Sequence, residues 1–457
     1  MFNRFKLHWF FAAYFSLLLT TGCQQSDTGI TIKQTSEVST QIKEVLHSSP
    51  SDPSPKQNAS LPNPPMLAFY GDPFYNRVLA ISVKDDNLSL IKEINTTGEN
   101  TYTVGMGGIP YEHKVYAITR GSDSIDVIDI QTLKRTNTIP LLHHPRSCAF
   151  NEILGIQLVS GTDKAMTSLI DVTRDEVVAV VGENCPTHPR DYGGSNATGH
   201  PFWLTPDKFV MLDRAARKIY LYRITQNGSK WRVKCLQALS TPTSVHHIIQ
   251  RGLDDMNGGI SESDLPQDTF YAVAEGAPQH CIPPMLLELK LEGECLKLCR
   301  KLPLQSPDID IKKMGAHHGT FHPDGTHIYI GSAEGHTFVI NYHTMAIEKI
   351  IPTGKGCGHT TFDPQKNLAI ITNHKDRFVT IVDTLDHTKI VDINVSGPSQ
   401  HGTILQSHTS FLSEDGRYFY AFATDNGIFY QLDLESFTIT HTLYTGGTPK
   451  QGCILLQ

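Results

Sequence analysis

From Met66 onward the chain runs in short segments where Val, Ile, Leu, Tyr, Phe and Thr alternate with polar residues, broken by Gly, Asp, Asn or Pro. A period of two turns one face of a strand toward a core, and almost no segment carries the period of a helix. The segments themselves repeat. HHGTFHPDGTHIYIGSAEGHTFVINYHTMAIEKIIPTG from His317, GHTTFDPQKNLAIITNHKDRFVTIVDTLDHTKIVDINVSG from Gly358 and SHTSFLSEDGRYFYAFATDNGIFYQLDLESFTITHTLYTGG from Ser407 each read as four strands joined by three turns. A repeat of about forty residues with four strands is one blade of a β-propeller.

Carried backwards, the template places earlier blades at 102–140, 143–182, 199–240 and 242–305. A partial blade at 66–98 lacks its innermost strand, and TPKQGCILLQ at the C-terminus supplies one. The expected fold is therefore all-β, a β-propeller of eight four-stranded blades whose ring closes when the C-terminal strand completes the first blade. Seven blades is the alternative if the first is irregular. Closure removes the open sheet edges that invite aggregation.

Innermost strands begin beside the central axis, so equivalent positions form a ring. His318, His359 and His408 stand three residues before Phe321, Phe362 and Phe411; by the same spacing His200 precedes Trp203, His246 precedes Ile249 and Cys453 precedes Leu456. Ser147 and Thr103 fall at this position in the two remaining blades. Strict alternation turns the neighbours His247 and His317 away from the axis. Crowded, partly desolvated imidazoles cannot all be protonated. Neutral imidazoles that converge are what zinc or copper binds, and a thiolate adds a softer donor. The competing reading is a structural hydrogen-bond network. Loops on the same face bring His188, His280, His374, His401, Cys357 and Asp213 within reach as groups that orient the ligands or pass an ion inward. Asp213 and Arg214 also read as a turn-stabilising pair.

PRSCAFNEILG, FHPDGTHIYIGS and FLSEDGRYFYAFATDNG resemble YVTN-type periplasmic β-propeller repeats, a group similar to the haem-domain propellers of nitrite reductase and to periplasmic metal-chaperone propellers. The resemblance spans most of residues 66–457. It implies the propeller fold, and for function it admits binding proteins, enzymes and scaffolds. Nitrous-oxide reductase, whose hub histidines hold copper, is similar in the placement of these residues only.

The remaining features set the compartment. Arg4 and Lys6 precede the apolar run Trp9–Leu19, and Thr20-Thr21-Gly22-Cys23 closes it. Residues 1–23 thus resemble a bacterial lipoprotein signal peptide ending at a lipidated Cys23, with Thr20 where such sites carry Leu. The Ser/Thr/Pro/Gln-rich residues 24–65 read as a disordered tether, and 66–457 as the propeller. The expected location is the periplasm, anchored to a bacterial membrane through Cys23, with a soluble periplasmic protein as the alternative. A net charge of −7 and no basic run exclude a nucleic-acid partner held by counterion release. Nine cysteines suit an oxidising compartment, and a bridge among Cys235, Cys295 and Cys299 is open.

Nucleophile-elbow and phosphate-loop motifs are missing, so a metal-binding protein is expected before an enzyme. Three functions follow. The first is an envelope lipoprotein, monomeric, that captures zinc or copper at the hub for an envelope transporter or metalloenzyme. The second is a redox enzyme with a copper or haem centre; haem is disfavoured because the Cys-x-x-Cys-His attachment motif is missing and there are more imidazoles than a haem needs. The third is a non-catalytic protein-binding scaffold.

Overall fold

The computed structural model describes residues 66–84, 87–106, 114–182, 196–249, 259 and 267–456. The signal-peptide and tether assignments, Cys23 among them, and His188 lie outside these residues. The described chain folds into eight four-stranded antiparallel sheets with no α-helix, only three short 3-10 turns. Eight blades, not seven, make up the ring.

Seven sheets use consecutive strands. Their innermost strands are Thr101–Met106, Pro145–Asn151, Phe202–Thr205, Val245–Ile249, Ala316–Phe321, Cys357–Asp363 and Ser410–Leu412. The eighth joins the two ends of the domain. Gln451–Leu456 pairs with Met66–Asp72, setting Leu456 opposite Met66 and Gln451 opposite Gly71. Asp72 clasps this closure: its carboxylate accepts the Thr448 N–H at 2.9 Å and the Arg77 Nε–H at 2.9 Å. Gly447 makes the approach feasible, since a Cβ there would lie 2.1 Å from Asp72 Oδ2 and its φ is +71°.

Apolar side chains pack where blade meets blade. Phe202, Leu212 and Ile219 of one blade interlock with Val245, Phe270 and Leu287 of the next. Trp203 is buried against Phe209, and its indole N–H reaches back to the Ala149 carbonyl at 3.2 Å. Outermost strands such as Thr438–Tyr444 alternate exposed and half-buried positions, as a sheet with one outer edge in water requires.

The innermost strands do not alternate strictly. Their register to the second strand shifts between Thr101 and Thr103, Pro145 and Cys148, Val245 and His247, Ala316 and Gly319, and Cys357 and Thr360. In the fourth blade, residues 199–201 face only 211–212 between the bridge Thr198–Asp213 and the pair Phe202–Val210. Each shift is a β-bulge, which adds a residue on the axial side and re-aims its neighbours.

The bridge left open among the outer-strand cysteines takes another form. Cys295 is disulfide-bonded, whereas Cys235 and Cys299 are both free thiols, so neither is its partner.

The clasp gives a first expected outcome. Asp72→Ala leaves the buried Arg77 guanidinium with the half-exposed Glu93 and the Thr445 and Gly446 carbonyls as partners, and the loss should be about 3 kcal/mol. Chemical denaturation measures it; a variant as stable as the parent would show that closure does not depend on this carboxylate.

Candidate metal centre

The bulges gather the histidines more tightly than alternation would. His246 and the pair His317–His318 occupy bulged positions, as does His359 beside Gly358. The ring of His318 lies 3.9 Å from that of His359, 4.8 Å from His246 and 5.6 Å from His200, centre to centre. His408 lies 5.4 Å from His359 and 4.3 Å from His374. The expectation that His317 points away from the axis is overturned, whereas His247 turns into the blade interface, its Nε2 3.3 Å from the Gly319 carbonyl. His317 lies 4.7 Å from His246 and 5.5 Å from His374, and His247 lies 4.8 Å from His318. A bulge turns two successive side chains to one side, so alternation fails where the hub is built.

Two triads emerge. In His200, His246 and His318, one ring nitrogen from each falls within 4.8 Å of the others, and the same holds for His359, His374 and His408. Tetrahedral zinc with bonds near 2.0–2.1 Å needs nitrogens about 3.4 Å apart, so an ion would draw either set inward by little. His374, expected only as an orienting group, is thus a full member of the second triad.

Hydrogen bonds outside the rings set their tautomers. His246 Nδ1 donates to Glu275 Oε1 at 2.9 Å, and Glu275 is itself held by Arg214, whose Nε lies 3.1 Å from Oε2. That leaves the lone pair of His246 on Nε2, a buried atom with no hydrogen-bond partner. The carboxylate–imidazole arrangement is the one that raises the basicity of a metal ligand. His374 Nδ1 donates to the Gln406 carbonyl at 3.0 Å, which orients Nε2 as the acceptor. Its seat depends on Gly358, where a Cβ would meet His374 Nε2 at 2.3 Å. His408 Nδ1 is likewise buried without a hydrogen-bond partner.

Burial holds His200, His246, His317, His318 and His408 well below the usual imidazole pKa; repulsion from neighbouring imidazoles and, for His200, His246 and His317, from Arg146 adds to it. These rings are neutral at pH 7, the state a metal requires.

His200, His246, His317, His318, His374 and His408 line a cavity of about 300 Å3. Its mouth reaches solvent past His200, His317 and His408, which are partly exposed. Other expected residues lie elsewhere. Cys453 was placed in the ring by its spacing from Leu456, but the terminal strand carries no bulge, and Cys453 packs against an apolar cluster with Leu67, Phe69 and Val104. Gln451, two residues earlier, lines the cavity instead. Cys357 is buried between blades beside Thr337 Oγ1. Asp213 caps a turn through the Ala216 N–H at 2.9 Å. His280 is exposed, and His401 stacks on Phe74 at 4.5 Å on the surface. A third cluster, Asp123, His144 and Asp163, lies at the surface, with His144 Nε2 3.5 Å from Asp123.

Sequence reasoning missed Glu275, Arg146, Arg120 and Tyr102, all on the cavity wall. One signal was available: Arg146 in PRSCAF stands where His317 stands in AHHGTF.

No protein-family model matches the sequence, nor does any curated protein. Among solved structures, the dihydro-heme d1 dehydrogenase NirN in complex with DHE aligns with a TM-score of 0.60 at 14% identity, over 89% of this chain and 78% of its own. Apo AztD from Citrobacter koseri aligns at 0.55 and 13% identity, over 85% and 97%. A protein from Lactobacillus plantarum aligns at 0.51 and 13%, over 85% and 99%. Such low identity shows a shared propeller fold, in keeping with the resemblance drawn from the repeats.

Two outcomes follow from the geometry. Glu275→Gln should weaken metal binding at the first triad about 10- to 100-fold and spare the second, whereas Gly358→Ala should displace His374 and weaken the second alone. Competition titration against a chelator reads both, and equal losses at both sites in either variant would refute the division. Acid should also destabilise the metal-free fold. Below the ordinary imidazole pKa near 6.5 the unfolded chain takes up protons that the five buried rings refuse, so stability falls as pH falls, by up to about 1.4 kcal/mol per pH unit for each ring. Thermal unfolding from pH 7 to 4.5 tests this; a flat profile contradicts it.

Proposed function

We propose that the protein binds transition-metal ions, zinc or copper, through its two hub triads and serves to capture and deliver them in the cell envelope. The observation that carries this reading is the buried, outwardly braced donor set: three imidazoles per site, with His246 tethered to Glu275 and its Nε2 atom lacking any hydrogen-bond partner. A structural network would have used that atom; buried polar groups seldom go unsatisfied. Three protein ligands leave one tetrahedral position open. An open position lets an ion arrive from, and leave to, another ligand, as delivery to an envelope transporter or metalloenzyme demands.

Imidazole donors suit both zinc and copper, and supply decides the occupant. The lipoprotein-like N-terminus through Cys23 supports a periplasmic, membrane-anchored location. A redox reading with haem draws on one observation, that a fold-similar propeller is a dihydro-heme d1 dehydrogenase. Against it stands the number of converging imidazoles, beyond the one or two axial positions of a haem iron.

The test is metal analysis of the full-length protein after incubation with zinc and with copper(II), beside a visible spectrum. The expected result is up to two ions per chain, held in two steps of unequal affinity because neighbouring ions repel. His318→Ala should remove the first site and His408→Ala the second. A chain that stays metal-free with both ions overturns the proposal, and a Soret band in the purified protein shifts it to haem.

A further inference from the structure

Among the described residues the hub wall also carries more positive charge than its acidic groups balance. Arg120, Arg146, Arg214 and Lys375 line the cavity, and the one described carboxylate there, Glu275, is already occupied by Arg214. Arg146 is 3% exposed, and its Nε and Nη1 atoms are buried with no hydrogen-bond partner. Among the described residues no carboxylate lies within ion-pair distance of Arg146 or Arg120. Arg120 is held in place by other means: its guanidinium stacks on the Tyr102 ring at 3.4 Å, and its Nε donates to the Arg146 carbonyl at 3.2 Å. Lys450 sits on the same ring at 4.9 Å. Tyr102 in turn lies 5.8 Å from His408, so this wall borders the second triad, while Arg146 shares the cavity with His200 and His246 of the first.

A guanidinium cannot shed its charge, and burying it unpaired is costly. A fold keeps such a group where something supplies the missing anion. Its planar fork matches the paired oxygens of a carboxylate, phosphate or carbonate. We propose that Arg146 and Arg120 form an oxyanion site in the hub, taking a carboxylate or small inorganic oxyanion beside the histidine triads. The inference rests on the reading of the hub as a ligand site and adds a second class of ligand to it. The oxyanion comes either free from solution or as the carboxylate of an organic chelator that carries the metal in. In both cases it offers the donor that each three-histidine site still lacks.

Calorimetric titration of the full-length protein, at fixed ionic strength in chloride, tests the site. Inorganic phosphate and citrate are the two probes, each applied to metal-free and to zinc-treated protein. The expected result is saturable one-to-one binding of at least one probe, weakened tenfold or more by Arg146→Gln and by Arg120→Gln. Phosphate binding to the metal-free protein identifies a free-anion site; citrate binding that requires zinc identifies a chelate site. Should a variant fail to fold, a rise in the wild-type melting temperature with phosphate or citrate over equal chloride supports the site, and no rise counts against it. Absence of binding by both probes in both states overturns the proposal, as does wild-type affinity in a folded Arg146→Gln. Zinc uptake without anion binding would sink this site and keep the metal reading. Anion binding without metal uptake would do the reverse.

Discussion

Strict alternation along an innermost strand would send every second side chain into a blade interface and leave few to face the axis. The bulges at the start of these strands relax that limit. At Arg146–Ser147, His246, His317–His318 and Gly358–His359 the strand carries residues that its partner does not match, and these are the residues that crowd the hub. Past each bulge the pairing resumes, so Phe321 and Phe362 return to blade packing. One local irregularity, repeated around the ring, thus separates an apolar belt that stabilises the fold from a polar hub that does not.

The hub is a site where stability has been given up. Burial keeps the imidazoles of His200, His246, His317, His318 and His408 neutral, and Arg146 and Arg120 add positive charge that the one carboxylate among the described lining residues cannot offset. Ring closure compensates elsewhere, through the Asp72 clasp and the interlocked blade faces. A rigid β scaffold suits this division, because it fixes histidines drawn from five blades beside the axis.

Repeats made the fold legible. Three aligned segments gave the four-stranded blade, and carrying that template along the chain gave eight blades with seven as the alternative, which the structure decides in favour of eight. They also identified His200, His246, His318, His359 and His408 through one spacing rule. The rule failed where the backbone departed from it. Cys453 lies on an innermost strand without a bulge, and so packs with Leu67 and Phe69 instead of facing the hub. His317 was turned the wrong way because a bulge is not written in composition. Glu275 and Arg214 come from turns between second and third strands, where residues repeat no pattern, and only the folded ring brings them to His246.

The two triads are unlike in construction, and the difference bears on what they can do. His200, His246 and His318 all begin innermost strands of neighbouring blades, and a buried Arg214–Glu275 pair braces one of them. The second triad takes His374 from a turn, where its ring packs on the glycine at 358 and its Nδ1 donates to the Gln406 carbonyl. A ligand on a turn has fewer contacts to break when it moves than one fixed in a sheet. With His318 and His359 only 3.9 Å apart, the rigid site and the looser one share a wall.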